Sequence, residues 1–267
     1  MTKDDASLTL AVWQGPSVWG DIGANLQKIK MVAKQAADAK ADLLVFPECF
    51  LTGYYKEADL TEIAAQVDDR CMAALASVSE TLDITLVVGT YELTEAGLYN
   101  SAFVFDPEIG IVGPYRKQML YGEWEKKNFR PGTQPLVFCC RGLKVGVLIC
   151  FDVEFPERVR ELAQAGIDLL VVPTALMEPY GIVSSALVPT RALENGIFAA
   201  YSNRIDSEDT LRYVGLSCIV GPDGKELARA GSDQEGLIVG TIDADRLKSI
   251  RAEVFYLQEL DGSQLSR

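Results

Sequence analysis

The sequence predicts an α/β sandwich in which strands and helices alternate along the chain. Short apolar runs recur between segments whose apolar residues fall at helical spacing, and 48% of the 267 residues are hydrophobic. Two of the runs, ADLLVFPE (41–48) and IDLLVVPT (167–174), are nearly alike. Alternation of buried strands with helices is typical of α/β folds, and the likeness of the two runs indicates two similar halves.

The first half of the sequence is predicted to hold five strands and two helices. The helices cover about 22–36 and 61–80, where apolar residues recur at helical spacing. The last two strands are joined by the turn residues Asp106, Pro107 and Gly110, which predicts a paired unit. The predicted strands are LTLAVWQ (8–14), ADLLVFPE (41–48), ITLVVGT (84–90), LYNSAFVFD (98–106) and GIVGPYRK (110–117).

The second half repeats this plan. Helices are predicted at 156–165 and 187–195, and strands at LKVGVLIC (143–150), IDLLVVPT (167–174), GIFAAYSN (196–203), 214–227 and GLIVGTID (236–243), with GPDG as a turn. No segment rich in Pro, Gly or Ser divides the halves. We therefore expect one domain over residues 1–267, with a core at about 7–250 and a polar tail at about 255–267.

Charge and composition exclude several classes of partner. A net charge of −13 argues against nucleic acid and anionic membrane surfaces. No segment approaches the roughly 18 apolar residues of a membrane span, and the N-terminus carries acids where a secretory signal has bases. The chain has no histidine, and none of its six cysteines forms a CxxC pair. We therefore expect a cytoplasmic protein with reduced thiols and without a metal site.

Cys150 stands apart from the other cysteines by its position. It ends an apolar run, and Pro156 then opens a predicted helix. At such a turn, a side chain and free backbone N–H groups are both available for chemistry. The alternative is a packing cysteine at a strand end, which position alone does not exclude.

The absence of histidine limits what could activate this thiol. Catalysis by Ser-His-Asp or Cys-His is excluded, because each needs an imidazole base. The remaining proton acceptors are carboxylates, and Glu48 ends the apolar run LLVFPE. Lys117 ends a third run, GPYRK. Either residue could instead be an ordinary solvated side chain, but strand ends at one edge of a sheet can converge.

Three blocks of the sequence resemble the signature blocks of the nitrilase superfamily of carbon–nitrogen hydrolases. They are FPECFLTGY (46–54), YRKQMLYGEWEKKNFRPG (115–132) and GVLICFDVEFPE (146–157), and the likeness extends to about residue 250. The resemblance implies a four-layer αββα sandwich with two similar halves, which pairs into a homodimer or a higher homo-oligomer. It also implies hydrolysis of a small amide without a cofactor.

The resemblance implies a role for each site residue. Glu48 would be the general base, Lys117 the cationic stabiliser and Cys150 the nucleophile, while Glu125 matches a second glutamate near the thiol. The N–H of Phe151 would join Lys117 in holding the oxyanion. One position departs from the family: Met119 stands where a histidine is common, which affects local packing more than chemistry.

The substrate is indicated by Glu154, the fourth residue after Cys150. Relatives that bind carboxylates often place an arginine in this region, whereas an acid there would favour an ammonium. The blocks VPTALMEPYG and RALENGIFAAYSN resemble amidases of ω-amino amides, such as 5-aminopentanamidase. We therefore expect a small amide carrying a cationic amine, with Tyr54 as a substrate-binding residue. Glu154 could alternatively have a structural role, bonded to nearby backbone.

Other functions stay open at this point. An N-carbamoyl-amine hydrolase would use the same residues and release carbon dioxide as well as ammonia. A nitrilase ranks lower, because nitriles need two waters. A non-catalytic scaffold ranks lowest, since it has no need for the combination of Glu48, Lys117, Glu125 and Cys150.

Overall fold

The structure, a computed structural model, describes residues 7–55, 57–253 and 256–262. Its strands are β1 (Ser7–Gln14), β2 (Leu43–Val45), β3 (Thr85–Thr94), β4 (Gly97–Asp106), β5 (Gly110–Arg116), β6 (Leu136–Cys140), β7 (Leu143–Val147), β8 (Leu169–Pro173), β9 (Phe198–Ser202), β10 (Ser207–Glu208), β11 (Leu211–Arg212), β12 (Cys218–Val220), β13 (Glu226–Arg229) and β14 (Gly236–Asp243). Its helices are α1 (Ile22–Asp38), α2 (Leu60–Ala64), α3 (Asp69–Leu82), α4 (Gly122–Asn128), α5 (Pro156–Gln164), α6 (Val188–Asn195), α7 (Ala244–Glu253) and α8 (Tyr256–Gly262).

Two six-stranded sheets share one pattern of strand directions. The first has the order β14-β1-β2-β3-β4-β5, and the second has the order β6-β7-β8-β9-β12-β13. In each sheet the second, third and fourth strands are parallel to one another, and the remaining pairs are antiparallel. The predicted likeness of the two halves is therefore confirmed in their topology.

The sheets pack face to face, with helices on the outside. In β1, Leu8, Leu10 and Val12 join the core between the sheets, whereas Ala11 and Trp13 join a second cluster with α1 and α3. This alternation follows from the two-residue period of a strand. Helices α5 and α6 contribute apolar residues that pack on the second sheet. The four-layer αββα sandwich expected from the sequence is confirmed.

Several elements differ from the prediction. The strands predicted at 41–48 and 143–150 end earlier, at Val45 and Val147. Both runs continue into turns that hold a residue at positive φ, Cys49 at 49° and Cys150 at 47°, which strands do not tolerate. Helix α4 was not predicted, because its one buried residue is Glu125 and it lacks an apolar stripe. Strand β6 and helix α7 were also missed.

The predicted polar tail is described only in part. Residues 256–262 form α8, while residues 255 and 263–267 lie outside the described residues. Within the described ranges, no helix is both long enough and apolar enough to cross a membrane.

Candidate active site

Three predicted site residues follow strand ends, although none of them lies within a strand. Lys117 comes directly after β5, and Glu48 and Cys150 lie three residues beyond β2 and β7. The sequence placed each of them at the last position of a strand. That placement is wrong by one to three residues, because each strand ends before the chain reaches the predicted site residue.

Lys117 lies between two buried glutamates. Its Nζ donates to Glu48 Oε1 and to Glu125 Oε1, at 2.7 Å in each case, and all three side chains are fully buried. We call these three residues the acid–lysine–acid cluster. An ammonium buried in this way is stable only because carboxylates surround it.

The two glutamates of the cluster differ in how many donors bind them. Glu125 Oε1 also accepts from the Tyr54 hydroxyl at 2.7 Å, and its Oε2 accepts from the Tyr121 N–H at 2.6 Å. Glu48 Oε1 accepts from Asn100 Nδ2 at 2.7 Å. Within the described residues, Glu48 Oε2 is buried and has no hydrogen-bond partner. Glu48 therefore has one oxygen free to take a proton, whereas both oxygens of Glu125 are engaged.

The electrostatics of the cluster favour a basic Glu48. Burial raises the pKa of Glu48, Glu125 adds to that rise, and Lys117 opposes it. Burial alone would lower the pKa of Lys117. Glu125 and Glu48 outweigh burial, so the pKa of Lys117 lies well above its ordinary value and the side chain is an ammonium.

Cys150 is a neutral thiol in this environment. Its side chain is nearly buried, at 8% exposure. Burial and the charge of Glu48 raise the pKa of Cys150 well above its ordinary value, against the lowering effects of Lys117 and of a hydrogen bond from the Ala175 N–H. The thiol therefore needs a base before it can act as a nucleophile.

A glycine allows the turn that carries Glu48 to approach the sheet. A Cβ at Gly89, on β3, would lie 2.5 Å from the backbone nitrogen of Cys49 and 2.8 Å from the carbonyl oxygen of Pro47. The Gly89 carbonyl also accepts from the Leu51 N–H at 3.0 Å. Any side chain at this position would push the turn away from the sheet.

Asp152 joins the turn of Cys150 to the segment after Lys117. Its Oδ1 accepts from the N–H groups of Gln118 and Met119 at 3.2 and 2.7 Å, and its Oδ2 accepts from the Ile149 N–H at 3.0 Å. The Tyr115 hydroxyl donates to Oδ2 at 2.9 Å. One buried carboxylate thereby fixes the positions of Cys150 and Lys117 relative to each other.

Glu208 holds the backbone of the Tyr54 loop. Its carboxylate accepts from the N–H groups of Tyr54 and Tyr55, at 3.1 and 2.9 Å, and from the Tyr213 hydroxyl at 2.6 Å. Arg204, fully buried, donates to it at 2.8 Å. The loop is therefore anchored on a buried ion pair while the Tyr54 hydroxyl reaches Glu125.

Aromatic side chains surround Phe151, the residue after Cys150, and Glu154 lies near Tyr121 among them. The Phe151 ring packs edge-on against Tyr121 and Phe155, with centroids 5.2 and 5.0 Å apart. Tyr121 also packs edge-on against Tyr180 at 6.4 Å. A hydrogen bond with Tyr180, burial and the nearby charge of Glu154 raise the pKa of Tyr121 to about 12.

Glu154 is half-buried, and burial raises its pKa against the charges of Lys117 and Arg191. In the part of the chain that the structure describes, its carboxylate accepts no hydrogen bond. The backbone carbonyl of Glu154 instead accepts from Arg191 at 2.9 Å. The alternative role for Glu154, a carboxylate bonded to nearby backbone, is therefore not what the geometry favours.

The sequence missed three residues that support the site, which are Asn100, Asp152 and Glu208. Asn100 and Asp152 are polar residues within apolar runs, LYNSAFVFD and ICFDVEF, whereas Glu208 lies in the polar stretch DSEDT and stands out less. A polar residue that interrupts a buried strand was the available signal. Among the described residues, no group of three or more Cys, Asp or Glu side chains is arranged to hold a metal ion.

The sequence and fold have known relatives. The carbon-nitrogen hydrolase family matches residues 9–252, which is more than nine-tenths of the chain. This chain belongs to the carbon–nitrogen hydrolase family. It is therefore a hydrolase that acts on non-peptide carbon–nitrogen bonds, and the resemblance to the nitrilase superfamily is confirmed.

Individual relatives of this carbon–nitrogen hydrolase agree with that assignment. A hydrolase of Pseudomonas protegens is 38% identical over 95% of this chain and 89% of its own length. An (R)-stereoselective amidase of Pseudomonas sp. is 36% identical over 92% of this chain and 90% of its own. The crystal structure of an amidase from Nesterenkonia sp. is 34% identical, covers 95% of this chain and 97% of its own, and has a TM-score of 0.83.

Proposed function

We propose that this protein is a cysteine-dependent amidase that converts a small amide into a carboxylate and ammonia. The observation that carries the proposal is a thiol under the electrostatic influence of an acid–lysine–acid cluster in which, among the described residues, one oxygen of Glu48 has no hydrogen-bond partner. The (R)-stereoselective amidase and the Nesterenkonia amidase among the relatives support the same reaction.

In the first half of the reaction, Glu48 Oε2 takes the proton of Cys150, and the thiolate attacks the amide carbon. The Lys117 ammonium and the Phe151 N–H hold the resulting oxyanion. Loss of one such donor costs roughly 3–4 kcal/mol of transition-state stabilisation. The proton on Glu48 then passes to the nitrogen, the carbon–nitrogen bond breaks, and ammonia leaves a thioester on Cys150.

In the second half, Glu48 takes a proton from water, and the hydroxide attacks the thioester. The thiolate is expelled as the carboxylic acid forms, the proton on Glu48 returns to the Cys150 sulfur, and the acid ionises to the carboxylate in solvent. Glu125 takes no part in these transfers, since both of its oxygens are engaged. Its role in the proposal is to hold Lys117 in place and to balance its charge.

A direct test is ammonia release by the Cys150→Ala variant. We expect no turnover with an unchanged fold, because the nucleophile is gone. Cys71→Ala is the matched control, since Cys71 is a buried thiol in α3 outside the site. Release of ammonia by Cys150→Ala at the parent rate would refute the proposal.

We further propose that the substrate is an ω-amino amide, as in the 5-aminopentanamidase branch. The half-buried Glu154 carboxylate supports this, because it accepts no hydrogen bond within the described residues and would pair with an ammonium. The neighbouring rings of Tyr121 and Tyr180 favour a cation as well.

The substrate preference is measured by comparing kcat/KM for 5-aminopentanamide, valeramide and glutaramate. We expect 5-aminopentanamide to be preferred, and Glu154→Gln to remove that preference over valeramide. Glu157→Gln, which changes an exposed acid of α5, is the control. A preference of the parent for glutaramate would overturn the assignment. Release of carbon dioxide from a carbamoyl amine, or turnover of a nitrile alone, would point to the alternative reactions.

We also propose that residues 1–267 form a single domain, that two copies pair into a homodimer or a higher oligomer, and that the protein works in the cytoplasm. The six free thiols are compatible with a reducing compartment. Light scattering of the purified protein tests the pairing, and a mass equal to one chain of 29.2 kDa would contradict it.

A further inference from the structure

Asn100 touches both the base and the lysine of the site. It lies on β4 and is 1% exposed. Its Nδ2 donates to Glu48 Oε1 at 2.7 Å, and its backbone carbonyl accepts from the Lys117 N–H at 2.8 Å. No step of the proposed reaction uses this side chain.

The direction of the Asn100 amide is fixed by a second contact. The Cys49 thiol donates to Asn100 Oδ1, with a sulfur–oxygen distance of 3.4 Å. Burial and the charge of Glu48 raise the pKa of Cys49 well above its ordinary value, so Cys49 stays a protonated donor. Because the thiol occupies Oδ1 and Glu48 can only accept, Nδ2 must face the carboxylate.

These contacts determine which oxygen of Glu48 is free. Oε1 accepts from Asn100 and Lys117, and Oε2 is left without a partner in the described part of the chain. We propose that Asn100, oriented by Cys49, is a positioning residue that reserves Glu48 Oε2 for proton transfer with Cys150. This rests on the amidase function proposed above.

The proposal predicts a direction for the pH dependence. The charged and titratable groups that face Glu48 are Lys117, Glu125, Cys150, Cys49 and Tyr54. The Asn100 amide lowers the pKa of Glu48, since it donates to the ionised carboxylate. Its removal should therefore raise that pKa. The base must be ionised to act, so the acid limb of kcat/KM should move to higher pH.

The test compares Asn100→Ala and Asn100→Asp with the parent in pH profiles of kcat and KM. We expect the acid limb of the kcat/KM profile to move up by about one pH unit or more, because the ionised Glu48 loses a hydrogen bond. KM should change little, because Asn100 faces the base. Asn100→Asp keeps the volume but adds a like charge, so its acid limb should rise further.

Cys49 supplies the rescue experiment. Cys49→Ser keeps a donor to Asn100 Oδ1 and should retain the parent's pH profile. Cys49→Ala should move the acid limb of kcat/KM to higher pH, but by less than the Asn100 variants do. Cys71→Ala is the control for loss of a buried thiol. An unshifted acid limb in both Asn100 variants, with kcat and KM as in the parent, would overturn the inference.

A readout without substrate separates this inference from the proposed function. Alkylation of Cys150 by iodoacetamide, followed by mass spectrometry against pH, depends on the same proton transfer to Glu48. We expect the acid limb of the alkylation rate to move to higher pH in both Asn100 variants. If it does so while the parent hydrolyses no amide, the proposed function fails and the positioning role stands.

Discussion

At the scale of single residues, the site distinguishes two chemically identical groups by their hydrogen bonds. Glu125 binds Lys117, Tyr54 and the Tyr121 N–H, whereas Glu48 keeps one oxygen free among the described residues. A carboxylate whose lone pairs are occupied by donors is a weak base. The number of donors therefore supports the proposed roles, with Glu48 as the acceptor of protons and Glu125 as a support.

Tyr54→Phe tests the supporting role of Glu125. The variant removes a hydroxyl that donates to Glu125 Oε1 at 2.7 Å. Hydrogen bonds to charged groups contribute about 1.5–3 kcal/mol, so we expect kcat/KM to fall by roughly ten-fold or more. Tyr55→Phe is the matched control, because among the described residues the Tyr55 hydroxyl bonds to Glu57 alone, at 3.5 Å on the surface. Equal rates for the two variants would contradict this role.

At the scale of elements, turns beyond β2 and β7 present Glu48 and Cys150, the proposed base and nucleophile. Cys49 and Cys150 both have positive φ in the turns beyond β2 and β7. Such conformations cost of order 1–3 kcal/mol for a residue other than glycine and are common at functional sites. The strained turns are held by neighbouring contacts, notably those of Gly89 and Asp152.

Gly89→Ala tests how closely the turn of Glu48 must approach the sheet. The added methyl group would meet the backbone at 2.5 Å, so we expect a displaced turn and a large loss of kcat. Gly23→Ala is the matched control, because a Cβ in α1 meets its nearest atom at 3.5 Å. That variant should keep full activity and gain up to about 1 kcal/mol of stability. Parent-like kcat in Gly89→Ala would show that the approach is not needed.

Asp152→Asn tests the link between the nucleophile turn and the lysine segment. An amide has one acceptor oxygen in place of two, so donors now bound to Asp152 would lose a partner. Each buried unsatisfied donor costs about 1–3 kcal/mol, so Tm and kcat/KM should both fall. Thermal unfolding and ammonia release measure the two effects. A variant with the parent's Tm and activity would rule out a structural link.

The sequence predicted much of the fold and of the site, for identifiable reasons. The bounds of β1 and β14 were predicted to within one residue, because each is an apolar run that forms one continuous strand. Helix α4 was not predicted, because it buries a glutamate rather than an apolar stripe. The roles of Asn100 and Glu208 were not predicted, because they depend on distant contacts. Asn100 binds Glu48, 52 positions away in the sequence, and Glu208 binds Tyr54, 154 positions away, and no local pattern contains such contacts.

At the scale of the whole molecule, each half contributes part of the site. Glu48 follows the third strand of one sheet, Cys150 follows the second strand of the other, and the N–H of Glu48 donates to the Thr174 carbonyl beyond β8 at 3.3 Å. The site therefore exists only while the two sheets are packed together. Neither half by itself holds the proposed set of Glu48, Lys117 and Cys150.

This arrangement predicts that activity and structure are lost together. In urea, ammonia release should fall at the same concentration as far-ultraviolet circular dichroism and tryptophan fluorescence, as for one cooperative unit. Loss of structure in two separate steps, with activity gone after the first, would contradict the single domain proposed above.

The central claim is that a carboxylate, in the absence of histidine, is the base that activates Cys150. Ammonia release by Glu48→Gln tests it most directly, because the substitution keeps the shape of the side chain and removes the proton acceptor. We predict that kcat/KM falls by roughly 10²–10⁴-fold, with Tm measured in parallel to exclude unfolding. A folded Glu48→Gln variant with the parent's kcat/KM would contradict the account.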